Sequence, residues 1–131
     1  MKKRGQVSVE FIVLLGVLLL FLILLVNISS DMLVGSKKTI DNSQINAFFD
    51  ALENAGGNVY YQGYGARANV AVILPENVES ILFNGKQMVI VAGGNRYFRN
   101  FDFNITGNLS VKGRGYVSAE AKNGYVEYSV Q

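Results

Sequence analysis

The sequence predicts an α+β protein: a long N-terminal α-helix followed by a small antiparallel β-sheet or sandwich. Three observations carry this. Every residue from Phe11 to Val26 is apolar or Gly. Ile45, Phe48, Phe49 and Leu52 then recur at the i, i+3, i+4, i+7 spacing of one helix face. Beyond Asn58 the pattern changes to alternation, punctuated by Asn84-Gly85 and Asn123-Gly124, dipeptides suited to tight hairpins.

The helix is expected from about Val7 to Ala55, roughly 70 Å at about 1.5 Å per residue. Asn42, Asn46, Asp50 and Glu53 lie opposite the apolar stripe, which should pack on the sheet. Gly56-Gly57 is the expected stop, because Gly readily takes the left-handed cap conformation. Asn27–Lys38 is the weakest stretch, since Gly35 costs about 1 kcal/mol relative to Ala and a local break would fit there. Strands are then expected at Ala68–Leu74, ending at Pro75, at Val78–Phe83 and Gln87–Ala92 around the first Asn-Gly, and at Tyr97–Ile105. Leu109–Lys112 is expected to continue the meander, and Tyr116–Lys122 and Tyr125–Val130 flank the second Asn-Gly. Val117, Ala119, Ala121, Val126, Tyr128 and Val130 fall on the apolar sides of that hairpin.

Composition narrows the chemistry. At 131 residues the chain is one small domain plus an appendage. It has no cysteine, hence no disulfide or thiolate metal site, and no histidine, hence neither the usual general base nor the commonest metal ligand. No Ser–Lys or paired-acid arrangement is recognisable, so neither catalysis nor a cofactor is expected. Formal net charge is +2, yet Lys2, Lys3 and Arg4 hold three of the twelve positive charges. Without them nine basic residues face ten acidic ones, a net of −1. A nucleic-acid partner would need a basic patch or stripe, and none is apparent. The basic cluster reads instead as an orientation signal, keeping the N-terminus cytoplasmic and the C-terminal part outside.

Val7 to Ile28 supplies 22 positions, interrupted only by Ser8, Glu10 and Asn27, against the about 20 that a membrane span needs. The residues after Val26, Asn27-Ile28-Ser29-Ser30-Asp31, make a poor small-x-small cleavage site for a conventional secretory signal. A plain span accounts for the run but not for Glu10 or Gly5. A carboxylate costs about 2.5–3.5 kcal/mol near a bilayer centre, less toward the edge, and an ionisable residue inside a membrane segment points to function. A Gly before a scissile bond removes side-chain bulk, and the position of Gly5 suggests cleavage on the cytoplasmic side.

The stretch Gly5-Gln6-Val7-Ser8-Val9-Glu10-Phe11 resembles the archaeal class III signal sequence, in which Q-x-S-x-E-F follows the cleaved Gly. All four fixed letters match, at Gln6, Ser8, Glu10 and Phe11, and the basic leader, Gly and apolar run stand in the expected order. The resemblance covers about the first quarter of the chain. It implies a type IV pilin-like protein, cut by a prepilin peptidase between Gly5 and Gln6. Bacterial type IV pilins usually begin the mature chain with Phe and bend the helix at a Pro. Gln6 and the absence of any Pro before Pro75 favour the archaeal branch and an unkinked helix.

On this resemblance the chain divides into a cleaved leader (1–5), a hydrophobic membrane and filament-core helix (6–28), an amphipathic continuation (29–57) and an extracellular β domain (58–131). The implied partners are sister subunits in a homopolymer, the prepilin peptidase, a cytoplasmic assembly ATPase and a membrane platform protein, with the membrane holding the precursor. Glu10 is the expected assembly residue. It favours the positive end of the helix dipole by about 0.3–1 kcal/mol, or pairs with a neighbour's freed N-terminal amine in a low-dielectric bundle.

The remaining signals are less specific. Gly16 either allows close helix approach or is simply tolerated. Three sequons occur, at Asn27, Asn104 and Asn108; the latter two are possible N-glycosylation sites in the outer domain, and Asn27 lies at the membrane edge. Tyr60, Tyr61, Tyr64, Tyr97, Phe98, Phe101 and Phe103 are expected mainly to fill the core, and Arg96, Arg99 and Arg114 to be solvated strand charges. A minor, adhesin-like pilin or a membrane-tethered binding domain shares the same leader and is the alternative reading. An enzyme acting through an outer carboxylate such as Glu120 is a third.

Overall fold

A computed structural model describes residues 2–110 and 112–131, with backbone only for residues 2–6. The element order is one helix, α1 (Lys2–Gln62), followed by β1 (Arg67–Leu74), β2 (Val78–Asn84), β3 (Gln87–Ala92), β4 (Asn95–Asn100), β5 (Asn104–Asn108), β6 (Gly113–Ala121) and β7 (Tyr125–Val130). This is the α+β layout the patterning predicts. The chain forms two compact units, Met1–Thr39 and Ile40–Gln131.

The first unit is helix alone. No break occurs at Asn27–Lys38. Two hydroxyls there turn back onto the helix: Ser30 Oγ donates to the Val26 carbonyl at 2.9 Å and Thr39 Oγ1 to that of Gly35 at 3.0 Å. Their hydrogen-bonding capacity is thus met within the helix rather than by opening it.

The second unit has a single core. Ile45, Phe48, Phe49 and Leu52 are buried, as their spacing predicts, with Val59 two turns beyond. Each such side chain contributes about 1.5–3 kcal/mol by leaving water. They meet Val72 and Leu74 of β1, Met88 and Ile90 of β3, and Val117, Ala119, Val126 and Tyr128 of the C-terminal hairpin. Val130, placed by alternation on the same side, remains 43% exposed at the sheet end.

The helix does not stop at Gly56-Gly57. It continues to Gln62, and Gly63, at φ +100°, ends it by donating from its N–H to the Val59 carbonyl at 3.1 Å. Gly56 serves packing instead. A Cβ there would run into the Tyr128 hydroxyl and come within 2.9 Å of the Phe103 ring. That close approach lets the Tyr128 hydroxyl donate to the Leu52 carbonyl at 2.7 Å. Burial pushes the Tyr128 phenol well above its ordinary value, with the Glu53 charge adding to the shift, so it is a fixed neutral donor.

The sheet is two sheets. One has four strands in the order β1-β6-β7-β5, the other three in the order β2-β3-β4. The single strand expected at Tyr97–Ile105 is split at Phe101-Asp102-Phe103, where the chain crosses from one sheet to the other. Phe101 and Phe103 are buried at that corner. Two backbone bonds secure it, from Phe101 N–H to the Lys86 carbonyl at 2.7 Å and from Ile105 N–H to that of Gly85 at 2.8 Å. After the crossing β5 takes the outer edge of β7 and runs parallel to it, the one departure from antiparallel pairing among the described residues. The first hairpin also shifts by one residue: Asn84 pairs with Gln87, leaving Gly85 and Lys86 as the loop. Leu109 is buried in a loop rather than extending a strand, and the rest of that expected strand includes Val111, which lies outside the described residues.

Candidate functional site

Between Val7 and Ile28 the helix is apolar on all sides. Its large apolar side chains are 45–67% exposed within the chain. This is the one helix among the described residues that is long and apolar enough to cross a membrane. Ser8, Glu10 and Phe11 of the signal-like motif are all exposed on it. Gly5 and Gln6 lie in its first turns, where the backbone alone is described.

Glu10 sits among Val9, Val13, Leu14 and Val17 on a shallow apolar surface. Residues one turn away are Gln6, Val7, Val13 and Leu14, none of them charged. No ion pair to Glu10 forms among the described residues, where the salt bridges all belong to the second unit.

The sequons separate by unit. Asn27 is exposed on the helix of the first unit. Asn104 and Asn108 share the outward side of β5 with Thr106, and all three are exposed. Their strand is an edge of the four-stranded sheet, so both amides are open to an enzyme approaching that face.

Arg99 is not a solvated strand charge. Its guanidinium lies 3.0 Å from Asp50 Oδ1 and 3.0 Å from Glu53 Oε2, and its Cζ stands 5.6 Å from the centre of the Phe49 ring. The carboxylates placed by spacing on the outer side of the helix thus hold β4, and Asn42 adds to this by accepting from the Tyr97 hydroxyl at 2.8 Å. Arg96 and Arg114 are exposed as expected. The aromatics divide too. Phe101 and Phe103 fill the core and Tyr60 stacks on Phe103 at 5.3 Å between centroids, whereas Tyr61, Tyr64 and Phe98 are exposed. Phe98 belongs to a cross-strand apolar row, Leu82–Val89–Phe98, that sequence reasoning missed. Its signal was the unbroken apolar run Met88–Ala92, which has no polar face.

Comparison with protein-family models, with curated proteins and with solved structures found no match to this chain.

Proposed function

We propose that this chain is a structural subunit of an archaeal type IV pilus-like surface filament. The observation that supports it best is the exposed, all-round apolar helix that follows a Q-x-S-x-E-F motif and carries the lone carboxylate Glu10. In this reading the precursor inserts with its basic leader in the cytoplasm and its β domain outside. A prepilin peptidase cuts after Gly5. That bond lies in the first helical turn, where backbone N–H groups lack intrahelical partners and unwinding into an extended substrate is cheapest.

Mature helices then leave the lipid and bundle in parallel, with β domains outermost. Lipid tails are as apolar as Leu, so this transfer itself yields little hydrophobic gain. Packing, the pairing of Glu10 with an N-terminal amine, and external work have to drive it. The last is the role of a cytoplasmic ATPase acting through a membrane platform protein.

Gly5→Val tests the processing step: the variant should run as an unshifted precursor beside the processed parent, and normal maturation would remove the cleavage claim. Glu10→Ala should mature normally yet yield few filaments by electron microscopy of sheared fibres. Abundant wild-type fibres from it would refute the pairing role. The adhesin-like alternative is favoured by one feature, the exposed Tyr61 and Tyr64 beside the helix end, each 79% accessible. Low copy number and a location at fibre tips would support it.

A further inference from the structure

Of the asparagines in the chain, only Asn84 and Asn123 precede a glycine. One dipeptide turns the β2–β3 hairpin and the other the β6–β7 hairpin, and all four residues are exposed. Gly85 has φ +61° and Gly124 φ +88°, and a Cβ at either would meet nothing within 4 Å. Residue type, solvent access and local space are thus alike at the two sites. They differ in how firmly the chain around them is held.

At the first hairpin Asn84 is itself the last paired residue of β2, opposite Gln87. The corner between the two sheets then grips the loop. Ile105 N–H donates to the Gly85 carbonyl at 2.8 Å and Phe101 N–H to the Lys86 carbonyl at 2.7 Å. Lys86 Nζ donates in return to the Asp102 carbonyl at 3.2 Å. At the second hairpin the ladder ends at Ala121 and Val126, so Asn123 and Gly124 lie beyond it. Lys122 N–H donates to the Tyr125 carbonyl at 2.8 Å across the loop. Among the described residues no backbone hydrogen bond from another element reaches Asn123 or Gly124.

We infer that Asn123 is a site of spontaneous deamidation, and that Asn84, in the same dipeptide, is protected by the grip of the corner. The step needs only base and water. As its proton leaves to base, the Gly124 backbone nitrogen attacks Asn123 Cγ. The N–Cγ bond forms, the Cγ–Nδ2 bond breaks, and the amide departs as ammonia. Glycine favours this because no side chain crowds the attacking nitrogen and its backbone turns freely. The five-membered succinimide then takes up one water. Opening at the Cγ–N bond gives Asp; opening at the backbone C–N bond gives isoaspartate, with the chain running through the side-chain carbon.

Ring closure requires the Asn–Gly peptide to rotate out of its turn. At Gly124 that motion disturbs only the loop. At Gly85 it pulls on two carbonyls held by Phe101 and Ile105, and those bonds have to open first. Each event at Asn123 places a new carboxylate next to Lys122, whose Nζ already lies 2.9 Å from Glu120 Oε1 and 3.8 Å from Glu127 Oε2. It lowers the net charge of the chain by one.

The full chain, extracted in mild detergent, is held in mildly alkaline buffer and sampled over days. Proteolytic peptides containing each dipeptide are separated and weighed. The Asn123 peptide should convert to a mixture of Asp and isoaspartate, with the Asn84 peptide converting roughly tenfold more slowly because two further hydrogen bonds oppose its closure. In concentrated urea the two rates should converge. Asn123→Gln, whose side chain is one carbon longer, should abolish the product at the second hairpin. Conversion of Asn84 as fast as Asn123 in the folded chain would overturn the inference. So would a gap that persists in urea, which would place its cause in neighbouring residue types, or Asp formed at 123 without isoaspartate, which would exclude the ring.

Discussion

One helix serves two regions that bury apolar surface by different means. Between Val7 and Ile28 every large apolar side chain is exposed within the chain, whereas from Ile45 to Val59 the same residue types are almost wholly covered. Composition and patterning both separate the two stretches: three polar residues interrupt Val7–Ile28, whereas five between Ile45 and Val59 leave the apolar residues on one stripe. A stripe at i, i+3, i+4 and i+7 has a direction, and the chain's own strands fill that direction. A helix apolar on all sides has none, and needs an apolar medium or sister helices around it. The second region is thus complete by itself, and the first is completed by something else.

Truncation should expose the contrast most strongly. Phe48→Ala removes a side chain that is 1% accessible and should destabilise the second unit by about 3–5 kcal/mol in chemical unfolding followed by tyrosine near-ultraviolet dichroism. Leu18→Ala, at a position 54% accessible within the chain, should leave that transition where it was. Equal effects of the two would break the division into self-sufficient and partner-dependent regions.

A smaller effect sharpens the account of the second region. Gly56→Ala should cost about 1–3 kcal/mol, because its methyl group meets the Tyr128 hydroxyl and the Phe103 ring. Tyr128→Phe alone should cost about 1 kcal/mol for the lost bond to the Leu52 carbonyl. In the double variant the penalty of Gly56→Ala should shrink, since the hydroxyl it strikes is gone. Additive losses would mean the glycine is not there for that contact.

The smallest effect is electrostatic and confined to the second region. A hydrogen bond from Lys122 holds the Glu120 carboxyl below its ordinary value, with Arg67 adding to it against a desolvation cost. The same bond raises Lys122. A lowered carboxyl contributes stability that is present above its unfolded value and disappears as pH falls through the folded one. A raised lysine contributes stability below its ordinary value, lost as pH rises through the raised one. Glu120→Gln should therefore flatten the acid side of the stability profile, with the difference from the parent greatest near neutrality and smaller in high salt. An unchanged acid limb would remove Glu120 from the account.

The legible parts of the molecule were those governed by period. Helical spacing located the buried stripe from Ile45 to Leu52, and alternation located Val117, Ala119, Ala121, Val126 and Tyr128. The basic cluster Lys2–Arg4, the lone carboxylate Glu10 and the apolar run were also readable, because charge and apolarity depend on residue type before they depend on any fold. Arg99 was read wrongly because its partners, Asp50 and Glu53, are more than forty residues distant in sequence. Gly56 looked like a stop for the same reason, its constraint being a ring and a hydroxyl from β5's approach and β7.

The sequence by itself determined that a long helix precedes a strand-rich region, which side of that helix is covered, and where an uncovered apolar rod begins. Only tertiary structure decided that the strands divide into two sheets, that β5 runs parallel to β7, and that Leu82 and Phe98 face away from the core. The physical reason is range. Periodicity and charge act between neighbours along the chain, while strand order, crossing points and unfilled surfaces depend on which distant segments win contact with one another once the core has closed.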